Sequence, residues 1–287
     1  MPAAPVLAID LGGTKLAAAL VEGGRVLARR EIPTDRAAGP GHWIDDAIAL
    51  VTDWSSFAAV GIAVTGAVRH GLWRALNPDT LPIPENYPLA TEVARRLRLP
   101  VTARNDAQAA AWGEFRFGEA AGRDVIFVTV STGLGGGIVT GGRLLEGRTG
   151  LAGHLGIAPI ATSDGIRMLE EIASGSALAR RAAAKGGPRA VTAAAHRGES
   201  WAEAMLDDVV APLALALRRL QLELDPDRIV IGGGLGLAPG YLDRLRHHLA
   251  ELPDWVRPTL TAATLGADAG LIGIADIAAT KLEENNR

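Results

Sequence analysis

One pattern, written twice, constrains this chain more than any other. Val6 to Asp10 is an apolar run of strand length, Leu11-Gly12-Gly13-Thr14 turns it, and Lys15 to Val21 returns. Gly23-Gly24 turns the chain again, and Arg25 to Ile32 forms a third strand with charges interleaved. Later, Val125 to Val130 is a strand, Ser131-Thr132-Gly133-Leu134-Gly135-Gly136-Gly137 a turn, and Ile138 to Thr140 a return. Gly141-Gly142 then turns into Arg143 to Leu145. Strand, glycine turn with a threonine, strand, glycine pair, strand: the shared order reads as an internal duplication. Helical periodicity follows each copy, which predicts an α/β fold of two lobes, each opening on a β-hairpin, facing each other across a cleft. The expected lobes are 1–118 and 119–269, with the closing helix, 270–287, packing back on the first lobe because sheets need helices on their faces.

Between and after the hairpins the pattern predicts alternating helices and strands. Trp43 to Val51 has helical spacing, and Ala58 to Val64 is a buried strand ending at Thr65-Gly66. Leu89 to Leu97 is helical, and Leu99 to Ala103 is a short strand. In the second half Leu169 to Ala184, Ala190 to His196 and Glu203 to Leu224 look helical, and Arg228 to Ile231 is a strand before the Gly232-Gly233-Gly234 turn.

The chemistry concentrates at Arg104-Asn105-Asp106-Ala107-Gln108, where a strand delivers an amide and a carboxylate to the start of an alanine-rich helix. Ligands of α/β folds collect outside the carboxyl ends of the strands. A carboxylate placed there accepts a proton, and an amide beside it holds a hydroxyl. The plainer reading makes Asp106 a helix cap. The glycine turns shift the balance, because successive N–H groups in such turns form concavities for anions. Neither is a Walker A loop or a dinucleotide fingerprint, since both lead into strands rather than helices. Each alone is an ordinary hairpin turn; two, each with a strand-end Asp or Ser and an internal Thr, and a third at 232–234, favour phosphate and nucleotide binding.

Composition removes other classes. With 48% hydrophobic and 21% charged residues the chain has material for a substantial core. A net charge of −3 argues against nucleic acid and acidic membrane surfaces. The chain has no cysteine, hence neither disulfides nor thiolate-bound metal. Met1-Pro2-Ala3-Ala4-Pro5 lacks the charged and apolar regions of a signal peptide, and no apolar run reaches the ~20 residues of a membrane helix. The expectation is a soluble, cytoplasmic protein.

Four stretches carry a resemblance to a known family: Asp10-Leu-Gly-Gly-Thr-Lys15, Asn105-Asp-Ala-Gln-Ala-Ala-Ala-Trp-Gly-Glu114, Thr129-Val-Ser-Thr-Gly-Leu-Gly-Gly-Gly137 and Gly232-Gly-Gly234. In order and spacing the chain resembles the ROK family of sugar kinases, which implies an actin-like ATPase (ribonuclease H-like) fold. Leu16-Ala-Ala-Ala-Leu20, Ala75-Leu-Asn-Pro78, the Gln108–Trp112 run, Gly150-Leu-Ala-Gly-His154 and Glu170 with Ile172-Ala-Ser-Gly175 are most similar to the branch that phosphorylates N-acetylmannosamine. The resemblance implies that Asp106 is the general base toward the sugar 6-hydroxyl, with Asn77, Asn105, His154 and Glu170 holding the sugar. It implies Gly12, Gly13, Thr14 and Lys15 on the phosphates of ATP from one side, and Thr132, Gly133, Gly135 and Gly136 from the other. Gly233 and Gly234 would lie beside the adenosine, and Asp10 would hold the Mg²⁺ complex. A homodimer is implied as well.

Each assignment has a plainer alternative. Asn77-Pro78 is common turn chemistry, His154 can be a loop histidine, and Glu170 and Glu171 suit the first turn of any helix. The family's structural zinc site, one histidine and three cysteines, has no counterpart here. Ile157 stands where the histidine is expected and Met168 where the last cysteine is, so no tetrahedral set can be built. The expectation is a chain that works without structural zinc, with apolar packing by Ile157, Ile166 and Met168 setting Glu170 instead. Within the resemblance, phosphorylation of N-acetylmannosamine competes with a glucokinase or another hexose or amino-sugar kinase. It also competes with a sugar-responsive repressor, disfavoured because strand one begins by Val6 and the balance is acidic, and with a sugar-binding protein lacking catalysis.

Overall fold

The computed structural model describes residues 4–54, 56–77, 80–163 and 165–285. Pro78 and the first three residues, named above, lie outside them. The strands and helices follow in chain order as β1 (Val6–Leu11), β2 (Lys15–Glu22), β3 (Arg25–Pro33), α1 (Pro40–Ala49), β4 (Ala59–Val64), β5 (Ala67–Arg69), β6 (Leu72–Arg74), α2 (Leu89–Leu97), β7 (Val101–Asn105) and α3 (Asp106–Phe117). Then come β8 (Val125–Val130), β9 (Leu134–Thr140), β10 (Arg143–Leu144), β11 (Pro159–Thr162), β12 (Gly165–Met168), α4 (Leu169–Ala173), α5 (Gly175–Arg181), α6 (Gly187–His196), α7 (Ser200–Leu224), β13 (Arg228–Gly232), α8 (Tyr241–Leu249), β14 (Leu260–Ala262) and α9 (Ala269–Asn285).

The chain divides into two units. The first contains 1–117, 146–152 and 267–287, the second 118–145 and 153–266. The first holds a sheet in the order β3-β2-β1-β4-β7, the second a sheet in the order β10-β9-β8-β13-β14. In each, three antiparallel strands come from the hairpin pattern and two parallel strands are added by crossovers. The duplicated sequence pattern is therefore a duplicated topology. Parallel strands β4 and β13 are buried at every residue, as strands covered on both faces must be.

Glycines let α9 lie tightly in the first unit. A Cβ on Gly273 would run into the Ala109 carbonyl of α3, and one on Gly61 of β4 would meet the Ile274 carbonyl at 2.5 Å. Trp112 Nε1 donates to Asp276 Oδ2 at 2.7 Å, and Arg116 Nε reaches the same oxygen at 2.9 Å. The apolar core of the first unit includes Leu7, Ile9, Trp43, Ile62, Trp73 and Leu89. That of the second includes Val128, Leu169, Leu206, Leu213, Ile229 and Tyr241.

Three local expectations are corrected. The helix expected over 169–184 is two helices, α4 and α5, broken at Ser174, whose Oγ accepts from Ala177 N as an N-cap. The break lets Gly175 N donate to Ser131 O at 2.7 Å, where any side chain would collide with that carbonyl. The turn expected over 131–137 spans only Ser131–Gly133, since Gly135 and Gly136 lie in β9 opposite Thr129 and Val128. The pattern also missed β5–β6, closed by His70-Gly71 with φ of 51° and 77°, the two positive values of a tight hairpin turn.

Candidate functional site

In the first unit the carboxyl ends of β1, β4 and β7 carry the candidate groups. Asn105, the last residue of β7, is 5% exposed. Its Nδ2 donates to Gly66 O at 2.9 Å and to Asp106 Oδ1 at 2.8 Å, while its Oδ1 accepts from Gln108 N at 3.1 Å. The capping proposed for Asp106 is thus performed by Asn105, which serves the third N–H of the helix. Asp106 Oδ1 also accepts from Ala107 N at 2.8 Å. Two donors on one oxygen fix the carboxylate's direction. Both amide hydrogens of Asn105 are committed inside the protein, and Oδ1 has a second lone pair beyond the one that accepts from Gln108 N.

Asp10 ends the same sheet one strand pair away. A Cβ on Gly270, at the start of α9, would lie in ordinary contact with both Asp10 Oδ2 and Asp106 O, 3.7 Å from each, so the start of α9 borders both acidic residues. Burial, and then the Asp106 carboxylate, push the Asp10 carboxyl up to about 7, against the opposing pull of Lys15 and Arg29. Gly12 N bonds Lys15 O at 3.0 Å, and Thr34 Oγ1 bonds Gly12 O at 2.8 Å, which shapes the Gly12–Thr14 turn. Neither glycine there has positive φ; at Gly13 the requirement is space, a Cβ meeting the Thr80 methyl at 2.7 Å. Thr14 is exposed, and Lys15 pairs with Glu31 at 3.5 Å. Asn77 accepts from Thr80 N at 3.1 Å through its backbone oxygen, so it occupies a turn of this unit.

Sequence reasoning missed Gln108. It is fully buried, and its Nε2 donates to Gly150 O at 3.2 Å and Ala152 O at 3.0 Å. Arg104 Nη2 bonds Glu146 Oε1 at 2.9 Å, and Arg69 reaches Glu146 Oε2 at 3.6 Å. Residues 146–152 are thereby strapped to the strand and helix that present Asn105 and Asp106. No sequence signal marks contacts to backbone carbonyls.

In the second unit, the end of β8 gathers Thr132, Gly133, Glu170 and Gly233. Glu170 Oε2 accepts from Leu134 N at 2.8 Å, and a Cβ on Gly133 would meet that same oxygen at 2.5 Å. Ser176 N donates to Thr132 O at 3.0 Å. Gly233, φ 83°, lies under the Val130 carbonyl where no side chain fits. Gly234 has open space in front of its α-carbon. Thr132 is exposed and Gly133 and Gly135 are partly so, with Gly135 paired to Thr129 in the sheet. Gly136 is buried, and its lack of a side chain is explained by Gly153, whose carbonyl a Cβ would approach to 2.7 Å. His154 precedes the short turn Leu155–Ile157, whose Gly156 packs on Leu134 and lies beside Glu170.

The packing expected to set Glu170 is overturned. Ile157, Ile166 and Met168 are 41%, 77% and 47% exposed and form no core. The β11–β12 hairpin does this work, with Leu169 N bonded to Ala158 O at 2.9 Å and Glu171 Oε2 accepting from Met168 N at 3.2 Å. Backbone pairing, and the fully buried Leu169, fix the start of α4. Among the described residues no three His, Cys, Asp or Glu side chains cluster as metal ligands, and no helix is long and apolar enough to cross a membrane.

Two sheets of identical strand order with polar residues and glycine turns at their carboxyl ends define the actin-like ATPase fold of sugar kinases. The ROK family profile matches residues 6–281, and the chain belongs to that family. It is 49% identical over 283 residues to the bifunctional enzyme NanE/NanK of Brucella melitensis, covering 97% of this chain but 55% of that protein. The chain thus spans about half the length of that relative. It is 40% identical over 286 residues to an N-acetylmannosamine kinase of Shigella flexneri, covering 95% of this chain and 98% of the other. A ROK family glucokinase from Streptomyces griseus, solved with glucose and AMPPNP, superposes with a TM-score of 0.82 at 31% identity over 96% of this chain and 99% of that one.

Proposed function

We propose that the chain transfers the γ-phosphoryl group of ATP to the 6-hydroxyl of N-acetylmannosamine. The observation that carries this is Asp106, a carboxylate aimed by two donors from the head of α3, in a chain similar over nearly its whole length to N-acetylmannosamine kinases. Asp106 accepts the 6-hydroxyl proton as O6 forms its bond to phosphorus and the bond to the departing ADP oxygen breaks. Asn105 aims Asp106 and offers its remaining lone pair, and Asn77, His154 and Glu170 are the other sugar-facing candidates. The Gly12–Thr14 turn with Lys15, and Thr132, Gly133 and Gly135, supply N–H and hydroxyl donors to the phosphates. Gly233 and Gly234 leave room for the adenosine.

Asp10 fits a divalent cation. Its carboxyl is held up to about 7 by burial and a neighbouring carboxylate, a state that Mg²⁺ relieves. Bound Mg²⁺ supplies neutralisation of phosphate charge.

The test is ADP release with Mg·ATP against N-acetylmannosamine, N-acetylglucosamine, glucose and mannose. N-acetylmannosamine is expected to give the highest kcat/KM, and Asp106→Asn to lower kcat by about 10²-fold or more while ADP still binds. A preference for glucose would replace the substrate but keep the mechanism. An active Asp106→Asn enzyme would overturn the mechanism.

A further inference from the structure

Two residues beside Asn105 and Asp106, Arg104 before them and Gln108 after, reach the same loop of the first unit. Arg104 Nη2 donates to Glu146 Oε1 at 2.9 Å, at the start of 146–152. Gln108 Nε2 holds the carbonyls of Gly150 and Ala152 at its end. The loop between these anchors is stiff. Ala152 N donates to Glu146 O at 3.2 Å, which closes the segment on itself. Gly147, φ 72°, and Gly150, φ 83°, turn it in the left-handed region that favours glycine. Gly150 also lies against the Val68 carbonyl of β5, where a Cβ would collide.

Glu146 joins this loop to two strands at once. The Arg104 side chain is 9% exposed and Glu146 26%. Burial pushes the Arg104 guanidinium down from its ordinary value, and the Glu146 carboxylate opposes that push. A second guanidinium, Arg69 of β5, stands 3.6 Å from the other carboxylate oxygen. Arg104 Nη1 meanwhile donates to Ala103 O at 2.7 Å, which joins the guanidinium to the backbone of β7 two residues before Asn105. A buried cation deprived of its carboxylate turns toward water. Here that cation is fastened to the strand end that carries Asn105.

We propose that Glu146 is a positioning residue for Asp106, acting on it through Arg104 and the 146–152 loop rather than by contact. Glu146 holds Arg104 and the start of the loop together, and Arg104 sets the end of β7. The far end of the loop holds Gln108, which sets the first turn of α3 and whose N–H engages Asn105 Oδ1. Between those two fixed points, Asn105 Nδ2 and Ala107 N keep Asp106 Oδ1 in one direction. The inference rests on reading Asp106 as the general base, and it adds the residue that keeps the base aimed.

Steady-state kinetics and amide hydrogen exchange on Glu146→Ala and Glu146→Gln in the full chain test this. Glu146→Ala is expected to lower kcat about tenfold or more while KM for Mg·ATP moves less than about twofold, because a misdirected base costs the chemical step and not nucleotide binding. Glu146→Gln keeps an uncharged acceptor for Arg104 and is expected to fall between; it carries the test should the alanine variant not fold. In both, exchange should quicken across 146–152 and also at Ala107 N and Gln108 N, whose acceptors are the Asp106 and Asn105 side chains. A merely structural role would lower the urea midpoint and leave kcat per folded molecule and those two amides unchanged, and that result would overturn the proposal. A lower kcat with the two amides unmoved, or faster exchange with kcat undiminished, would overturn it as well. If the wild-type chain phosphorylates none of the sugars tested, the proposed reaction fails by itself, and exchange at Ala107 and Gln108 still decides whether Glu146 fixes the direction of Asp106.

Discussion

Replacing Gln108 by Met keeps the volume of a fully buried side chain and removes its amide. Two hydrogen bonds disappear, to Gly150 O and Ala152 O. Each is worth about 0.5–1.5 kcal/mol net, so the loss is roughly 1–3 kcal/mol. A gain opposes it. Gln108 Oε1 is buried with no hydrogen-bond partner among the described residues, and deleting such an acceptor returns about 1 kcal/mol. The amide cannot flip to help, because its oxygen would then face two carbonyl oxygens. The balance is a destabilisation of about 0–2 kcal/mol, concentrated in the strap. Other anchors remain: Arg104 and Arg69 on Glu146, and Gly150, φ 83°, seated against the Val68 carbonyl. Urea unfolding should therefore show a modest loss, with faster amide exchange over 146–152 and faster tryptic cleavage after the exposed Arg148. A variant as stable as wild type, with unchanged exchange in the strap, would refute the claim that Gln108 holds it.

Two further outcomes follow from buried polar groups. Tyr241 is fully buried with no partner for its hydroxyl among the described residues, so Tyr241→Phe is expected to be neutral or to raise stability by about 1 kcal/mol in thermal melts; a clear loss would reveal a partner for that oxygen. Asp10 titrates near 7 in the folded chain against 3.8 ordinarily, so between those values the native state keeps a proton that the unfolded chain has released. Its contribution is greatest at the acid end and declines as pH rises toward 7. Asp10→Asn should remove that decline, and its metal-free urea midpoint should gain on wild type with rising pH; parallel profiles from about pH 5 to pH 8 would contradict the shift.

How much was legible in the sequence depended on the range of the forces involved. The hairpins β1–β2–β3 and β8–β9–β10 could be read because alternation and glycine punctuation are local. The parallel neighbours β4 and β7, or β13 and β14, are set by long crossovers, which no short window contains. Strands of three or four residues, such as β5 and β12, are too short for periodicity to separate from loop. The helix expected over 169–184 had the right pattern and still broke, because Gly175 must touch Ser131 O across the fold.

The same distinction explains the candidate site. Asn105 and Asp106 stood out as candidates because of their side-chain chemistry, and their position at the end of a strand was legible from the pattern. What sequence could not supply was the division of labour between them. Asn105 takes the cap and the Gly66 carbonyl, and its Nδ2 joins Ala107 N in aiming Asp106 Oδ1. Gln108, Gly156 and Gly175 act on backbone atoms far along the chain, through a hydrogen bond or the absence of a Cβ. Their residue types fit many roles, and only the partner decides which. The exposed Ile157, Ile166 and Met168 show the converse error, in which apolar character was taken to imply burial. In that hairpin, backbone pairing and the Glu171 cap hold the start of α4, and side-chain polarity says little about either. Residues proposed to act through their own functional group could thus be singled out before the fold was known, and residues that act by placing backbone could not.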